Sequence, residues 1–275
     1  MNRIGRMAGL IVALTAALSI AGIAQDTLTA DEILTRVEMQ GQQESGSFAT
    51  IMKTDTEHPD GITTSVTSAV FIRSELDVAT HMLLYILEPA RDHGLTVLIW
   101  AVEGEDSRIW LFLPAIGDAK ELDAEGQDES FAGTTFSYGD FGGGDLADDF
   151  TAELLREETV TVGEEEREAY VLAVTARPDA DVDQPTGTLW IDKEEFLILR
   201  GEYFNESGNL ESTFAATMLG TFEDDLVADA FVQEEVLTGK RSTTTFSSRL
   251  RLDDLPDEVF DPAGLPTFDP ADWGL

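Results

Sequence analysis

Cysteine is absent from the 275-residue chain, which excludes disulfides, thiolate metal sites and thiol nucleophiles and leaves the fold to rest on its apolar core. Lysine is scarce, with only Lys53, Lys120, Lys193 and Lys240, and the three histidines, His58, His81 and His93, have no metal-ligand spacing. No HExxH, GxSxG or phosphate-loop pattern occurs, and no nucleophile stands beside an identifiable base. The expected class is therefore not an enzyme, with no cofactor and no metal. Positive charge is so thin that the formal net charge is -37. Such a field repels phosphate backbones and excludes nucleic acid as a partner. The acids are scattered rather than gathered in a tail, the pattern of a surface adapted to high salt, where screening acts over about 3 Å at 1 M. The alternating acids Asp179, Asp181 and Asp183 imitate the start of a calcium loop. Gln184 stands where that loop needs glycine and Trp190 where it needs a bidentate glutamate, so a solvated loop is expected.

A long uncharged run occurs at the N-terminus, where residues 7–24 follow Arg3 and Arg6. The clean apolar core, residues 10–18, is too short for a membrane span, and small residues precede Gln25. Residues 1–24 read as a secretory signal peptide cleaved after Ala24, giving a periplasmic product. No cysteine follows for lipidation. Residues 25–275 then form one domain, since nothing in the chain marks a second.

Thr29 and Glu32 have capping-box spacing ahead of Ile33, Leu34 and Val37, predicting a helix that Gly41 ends. Beyond it the period changes to two. Strands are expected at residues 47–54, 64–73, 81–87, 95–102 and 108–113, then at 151–158, 168–175, 187–191, 197–204, 210–222, 230–237 and 243–252. Strand 108–113 has Ile109 and Leu111 on one face and Trp110 and Phe112 on the other. A strand apolar on both faces needs cover on each, or must line a cavity. Many sequential strands with short loops and little helix predict a mainly β fold, a strongly curved antiparallel sheet forming an incomplete, half barrel. The N-terminal helix and the irregular segment 130–149 are the elements available to cover it.

That segment begins SFAGTTFSYGDF, which sets Phe131, Phe136, Tyr138 and Phe141 within eleven residues and interrupts them with Gly133 and Gly139. Aromatic rings on a glycine-broken backbone suit either a mobile lid over an apolar cleft or a fixed plug completing the core. Residues 142–144, three glycines, favour mobility. Trp100, Trp110, Phe112, Trp190 and Tyr203 are further candidates to line an apolar ligand cavity, with core packing as the competing role.

Several stretches in order resemble the outer-membrane lipoprotein-sorting proteins, in the LolA-like branch associated with large export transporters. They are ADEIL at 30–34, EPARDHG at 88–94, IWLFLP at 109–114, SFAGTTFSYGDF at 130–141, LWID at 189–192, EYFNESG at 202–208 and LPDEVF at 255–260. The resemblance spans essentially all of residues 25–275. It implies a half-open antiparallel barrel closed by helices, with an apolar interior for acyl chains. The implied activity is that of a periplasmic carrier of lipid or of lipoprotein acyl chains, for outer-membrane sorting or as soluble partner of a membrane transporter. The chain departs from the family after residue 114, where relatives carry arginines and this sequence reads AIGDAK; Lys120 alone is left to meet an anionic headgroup there. The alternative from the residues is a structural or adaptor protein of the cell envelope that docks a partner by its sheet edge.

Overall fold

A computed structural model describes residues 28–275 except 42–45, 76–77, 103, 143–145, 181, 224 and 253–254. The expected signal peptide, Asp181 of the acidic loop and two of the three consecutive glycines lie outside the described residues. Helix α1 (Ala30–Gly41) comes first, followed by β1 (Gly46–Glu57), β2 (Thr63–Glu75), β3 (Ala79–Glu88), β4 (Thr96–Val102), β5 (Arg108–Leu113) and β6 (Asp118–Glu121). A connecting segment, residues 122–149, holds the short helices α2 (Ala124–Gln127) and α3 (Leu146–Asp149). Seven strands complete the sheet: β7 (Phe150–Val162), β8 (Glu165–Ala176), β9 (Thr186–Asp192), β10 (Ile198–Phe204), β11 (Leu210–Phe222), β12 (Asp225–Glu235) and β13 (Lys240–Leu252). The expected β1 to β5 and β7 to β13 all form, and β6 is added at the edge.

All 13 strands lie in one sheet of order β6-β5-β4-β3-β2-β1-β13-β12-β11-β10-β9-β8-β7, antiparallel throughout and not closed into a barrel. Two meanders, six strands and seven, are stitched together where β1 pairs with β13. Because β6 and β7 are consecutive in sequence but occupy opposite edges, the chain between them must travel across the sheet. Residues 122–149 make that journey, so they form a crossover rather than a surface loop.

The capping box at the start of α1 is present: Thr29 N donates to Glu32 Oε2 at 2.7 Å and Glu32 N to Thr29 Oγ1 at 3.2 Å. The carboxyl of Glu32 accepts from both Thr29 N and, at 2.9 Å, Thr29 Oγ1, and these two bonds, the backbone one first, hold it below its ordinary pKa. The helix lays Ile33, Leu34 and Val37 against Phe150, Leu172, Val174, Leu189, Ile191 and Tyr203, so it covers β7 to β10. Asp31 and Glu38 fasten it by accepting from Ala152 N and Ala147 N, at 2.9 and 3.2 Å.

The first half of the sheet is layered on both sides. On one face of β1 to β5, Phe48, Met52, Val70, Leu84, Ile99 and Ile109 pack against the crossover. On the other, Phe71, Leu83, Leu98, Trp110 and Phe112 pack beneath residues 255–275, which contribute Leu255 and, from short helical turns, Val259, Phe260 and Leu265. Strand β5 is therefore covered on both faces, as its alternation requires. The second cover is the C-terminal tail, an element that the alternation pattern alone does not supply. On β7 to β12 the face opposite α1 keeps its own cluster around Val171, Trp190, Leu197 and Leu199.

Candidate functional site

The candidate site is the face of the sheet under the crossover. Here the chain places its aromatic run in contact with an apolar floor. Phe131, Phe136, Tyr138 and Phe141 are all buried. Their rings interlock edge to face, with centroids 5.0 Å apart for Phe131 and Phe141 and 5.8 Å for Phe131 and Tyr138. Phe136 extends the array to Phe231 at 6.0 Å, and Phe231 reaches Phe214 and Phe246 at 5.1 and 6.0 Å. One aromatic layer thus joins the crossover to β11, β12 and β13. Burial pushes the Tyr138 phenol above its ordinary pKa, with Glu129 and Asp92 adding to the effect.

Local chemistry holds the crossover in a tight fold. Phe131 N donates to Phe136 O at 2.7 Å, Thr134 N returns to Phe131 O at 2.9 Å, and Ser130 pairs with Ser137 as an isolated bridge. Ala132 and Gly133 take the left-handed region in succession, φ 48° and 80°. Glycine does this freely, while Ala132 does so at a steric cost of order 1 kcal/mol. The aromatic segment is bonded outward to β13 through Thr135 N to Ser242 Oγ at 3.0 Å and Lys240 Nζ to Thr134 O at 3.0 Å and, at its far end, to the loop before β5 through Ser107 Oγ to Gly142 O at 3.0 Å.

The floor beneath is not uniformly apolar. Where β1 meets β13, the pairs Thr54 with Thr244 and Thr56 with Ser242 share hydroxyl bonds of 2.9 and 2.8 Å, all four being buried. Ser242 also accepts from the crossover. One end of the face is thus hydroxyl-lined and ends at Lys240, and the other carries Phe48, Met52 and Phe246.

This architecture, an open antiparallel sheet with a crossover on one face, is similar to that of solved structures. A family model described as "-like: Uncharacterized protein" matches residues 79–267, from β3 into the tail. Among solved structures, a DUF1329 family protein from Desulfovibrio piger is 17% identical with TM-score 0.75, covering 86% of this chain and 97% of that one. A domain assigned by name to outer membrane lipoprotein sorting, from Vibrio parahaemolyticus, is 18% identical with TM-score 0.75, covering 86% and 98%. A LolA superfamily protein from Nitrosomonas europaea is 22% identical with TM-score 0.62, covering 86% and 98%. The chain belongs to the family of that model and has the LolA-like fold. No curated protein matches it in sequence.

Within the LolA-like fold, the nine aromatic residues singled out from the sequence fall on different surfaces. Phe131, Phe136, Tyr138 and Phe141 converge under the crossover, and Tyr203 lies on the same side beneath α1. Burial raises the Tyr203 phenol strongly. Trp100, Trp110 and Phe112 instead lie on the opposite face under the tail. Trp100 donates from Nε1 to Phe260 O at 2.9 Å and packs at a tilt against Trp110, ring centroids 4.7 Å apart. Arg108 lies over Trp110 at 4.6 Å and forms a two-pronged pair with Glu121 at 2.8 and 2.9 Å. Trp190 is separated again, on the far face of β9 with Arg200 above its ring at 4.4 Å. A single cavity does not collect all nine, because period-two alternation sends neighbours such as Ile109 and Trp110 to opposite sides.

Lys120 stands on edge strand β6 opposite Leu111, exposed. The hydroxyl seam and the place of Lys240 beside it are not legible locally, since threonine in a strand has the pattern of an ordinary β-former. Only the non-local β1 and β13 register brings Thr54, Thr56, Ser242 and Thr244 together. Among the described residues no cluster of three or more metal-ligating side chains occurs, and no helix is long and apolar enough to cross a membrane.

Proposed function

We propose that this chain is a periplasmic, non-enzymatic carrier that takes lipid, or the acyl chains of a lipoprotein, between its sheet and its crossover, for outer-membrane sorting or as soluble partner of a membrane transporter. The observation that carries the reading is the crossover itself: an aromatic segment that joins the two sheet edges and lies on an apolar floor. The fold shared with a lipoprotein-sorting domain supports it. In the closed form the rings occupy the place an acyl chain would take, so loading displaces them.

The energies allow this exchange to be reversible. Burying each of the four crossover aromatics contributes roughly 1.5–3 kcal/mol, a sum of about 6–12 kcal/mol. An acyl chain of about 14 buried methylenes at roughly 0.8 kcal/mol each offsets about 11 kcal/mol. Near balance favours a carrier that both loads and releases, whereas a much shorter chain would leave the crossover in place.

Delipidated protein titrated with a fluorescent fatty acid tests the proposal: saturable binding that strengthens with chain length is expected. Absence of binding at low and high salt would refute it. The adaptor reading has its own observation, the exposed Leu154 and Leu155 on edge strand β7. Native mass spectrometry separates the two, since a carrier retains co-purified lipid and an edge-docking adaptor does not.

A further inference from the structure

Lys240 sits at the first residue of β13, on the same side as Ser242, Thr244 and Phe246, with its ammonium held at 3.0 Å from the Thr134 carbonyl and 3.4 Å from Glu235 Oε1. It is half-buried at the rim of the crossover face, its side chain 20% exposed. Of the four lysines it is the one bonded to the crossover among the described residues. The next crossover residue, Thr135, is 2% exposed, and its Oγ1 has no hydrogen-bond partner. A buried hydroxyl without a partner is unusual and marks where a polar group of a ligand can be received. Lysine, an unpartnered hydroxyl and the Thr56 and Ser242 pair thus form a polar end to an otherwise apolar surface.

We infer that this polar end is the head subsite for an anionic acyl ligand, with the Lys240 ammonium receiving the anion and Thr135 Oγ1 donating beside it. The inference rests on the carrier reading and specifies which ligands that carrier takes. Glu235 remains beside the ammonium and opposes a second negative charge, so the subsite suits a singly charged head, a carboxylate or a phosphodiester. Lys240 also bonds the crossover, so an anion that captures its ammonium removes one of the bonds that hold the crossover against β13. Head recognition and opening are coupled through one side chain. The chain then lies toward Phe48, Met52 and Phe246, the apolar end of the same face.

The test uses three pyrene-labelled ligands of matched chain length: a fatty acid, its methyl ester and a phosphatidylglycerol. Wild-type protein should prefer the two anions over the ester by roughly tenfold, the scale of a charge-assisted hydrogen bond in a partly buried site. Lys240→Gln should abolish the preference while holding or raising affinity for the ester, and Lys240→Arg should restore it. Thr135→Val, which removes the unpartnered hydroxyl at nearly constant volume, should weaken the acid a few-fold without lowering the melting temperature. Acid without phosphatidylglycerol would identify a free fatty acid as the source of the head, and the reverse a phospholipid. Equal binding of acid and ester by wild type, or an unchanged ratio in Lys240→Gln, overturns the subsite and leaves the carrier reading standing. Failure of all three ligands to bind overturns both.

Discussion

Replacing Phe260 by alanine removes the ring that seals the tail onto the sheet. Phe260 is 2% exposed, packs with its centroid 5.7 Å from that of the tilted His81 ring, carries the Arg73 guanidinium at 4.9 Å and accepts the Trp100 indole bond through its carbonyl. A phenylalanine deleted from a rigid core costs about 3–5 kcal/mol, transfer and cavity terms together. The tail is built of short helical turns rather than ladder-bonded strands, so it can settle partly into the space, and about 2–4 kcal/mol is expected. Urea unfolding followed by tryptophan emission and by far-ultraviolet circular dichroism measures it. Trp100 and Trp110 lie under the tail and Trp273 within it, so emission should move to the red as the tail loosens. A loss below about 0.5 kcal/mol, the scale of a surface change, with emission unmoved, would refute the claim that this segment is the second cover of β1 to β5.

Asp192 is a second point of leverage, with its side chain 1% exposed, bonded to Arg167 at 2.7 and 3.1 Å and accepting from Glu194 N and Glu195 N. Asp192→Ala should cost about 3–5 kcal/mol in urea unfolding because Arg167 is left partly buried and unpaired. Asp192→Asn, which keeps an oxygen for the turn, should recover part of that, and equal losses for the two variants would contradict the role of the turn bonds. His81 sets a pH dependence. Burial first, then Arg73, holds its imidazole below the ordinary 6.5, against smaller opposing effects of Glu75 and Asp257. The folded state therefore binds fewer protons than the unfolded, and stability falls as pH drops below about 6.5, the loss being complete beneath the depressed pKa. His81→Gln should flatten the melting temperature between about pH 7.5 and 5 relative to wild type; parallel curves would count against it.

Much of this fold is legible in residue order. Alternation located twelve of the strands, Thr29 and Glu32 located the start of α1, and the two-faced pattern of Ile109 to Phe112 required cover on both sides. What alternation cannot say is which element covers which face. Trp110 and Phe112 share a face by parity, yet that face lies under a tail more than 140 residues later, and no local pattern around 255–260 announces it. The short β6 was missed because Asp118, Ala119, Lys120 and Glu121 carry no apolar alternation; they pair as an edge because β5 offers a free ladder. The aromatic run at 130–141 was visible as a cover, but its character as a crossover follows only from the sheet order, which puts β6 and β7 at opposite edges. Lys240 lies outside the strand expected at 243–252, and only the β12 and β13 register carries that strand back to it and sets it against Thr134.

In the proposed carrier, acyl ligands enter by displacing the crossover. A Cβ built on Gly142 would lie 3.1 Å from Ser107 Cβ, a few tenths of an ångström inside the roughly 3.5–4.5 Å that a disulfide spans. In a chain without cysteine, the double variant Ser107→Cys and Gly142→Cys can form only this one intramolecular bridge, tying the crossover to the loop before β5. Binding of a fluorescent fatty acid should fall at least tenfold when the bridge is oxidised and return on reduction. Undiminished binding by the fully oxidised protein would contradict the account.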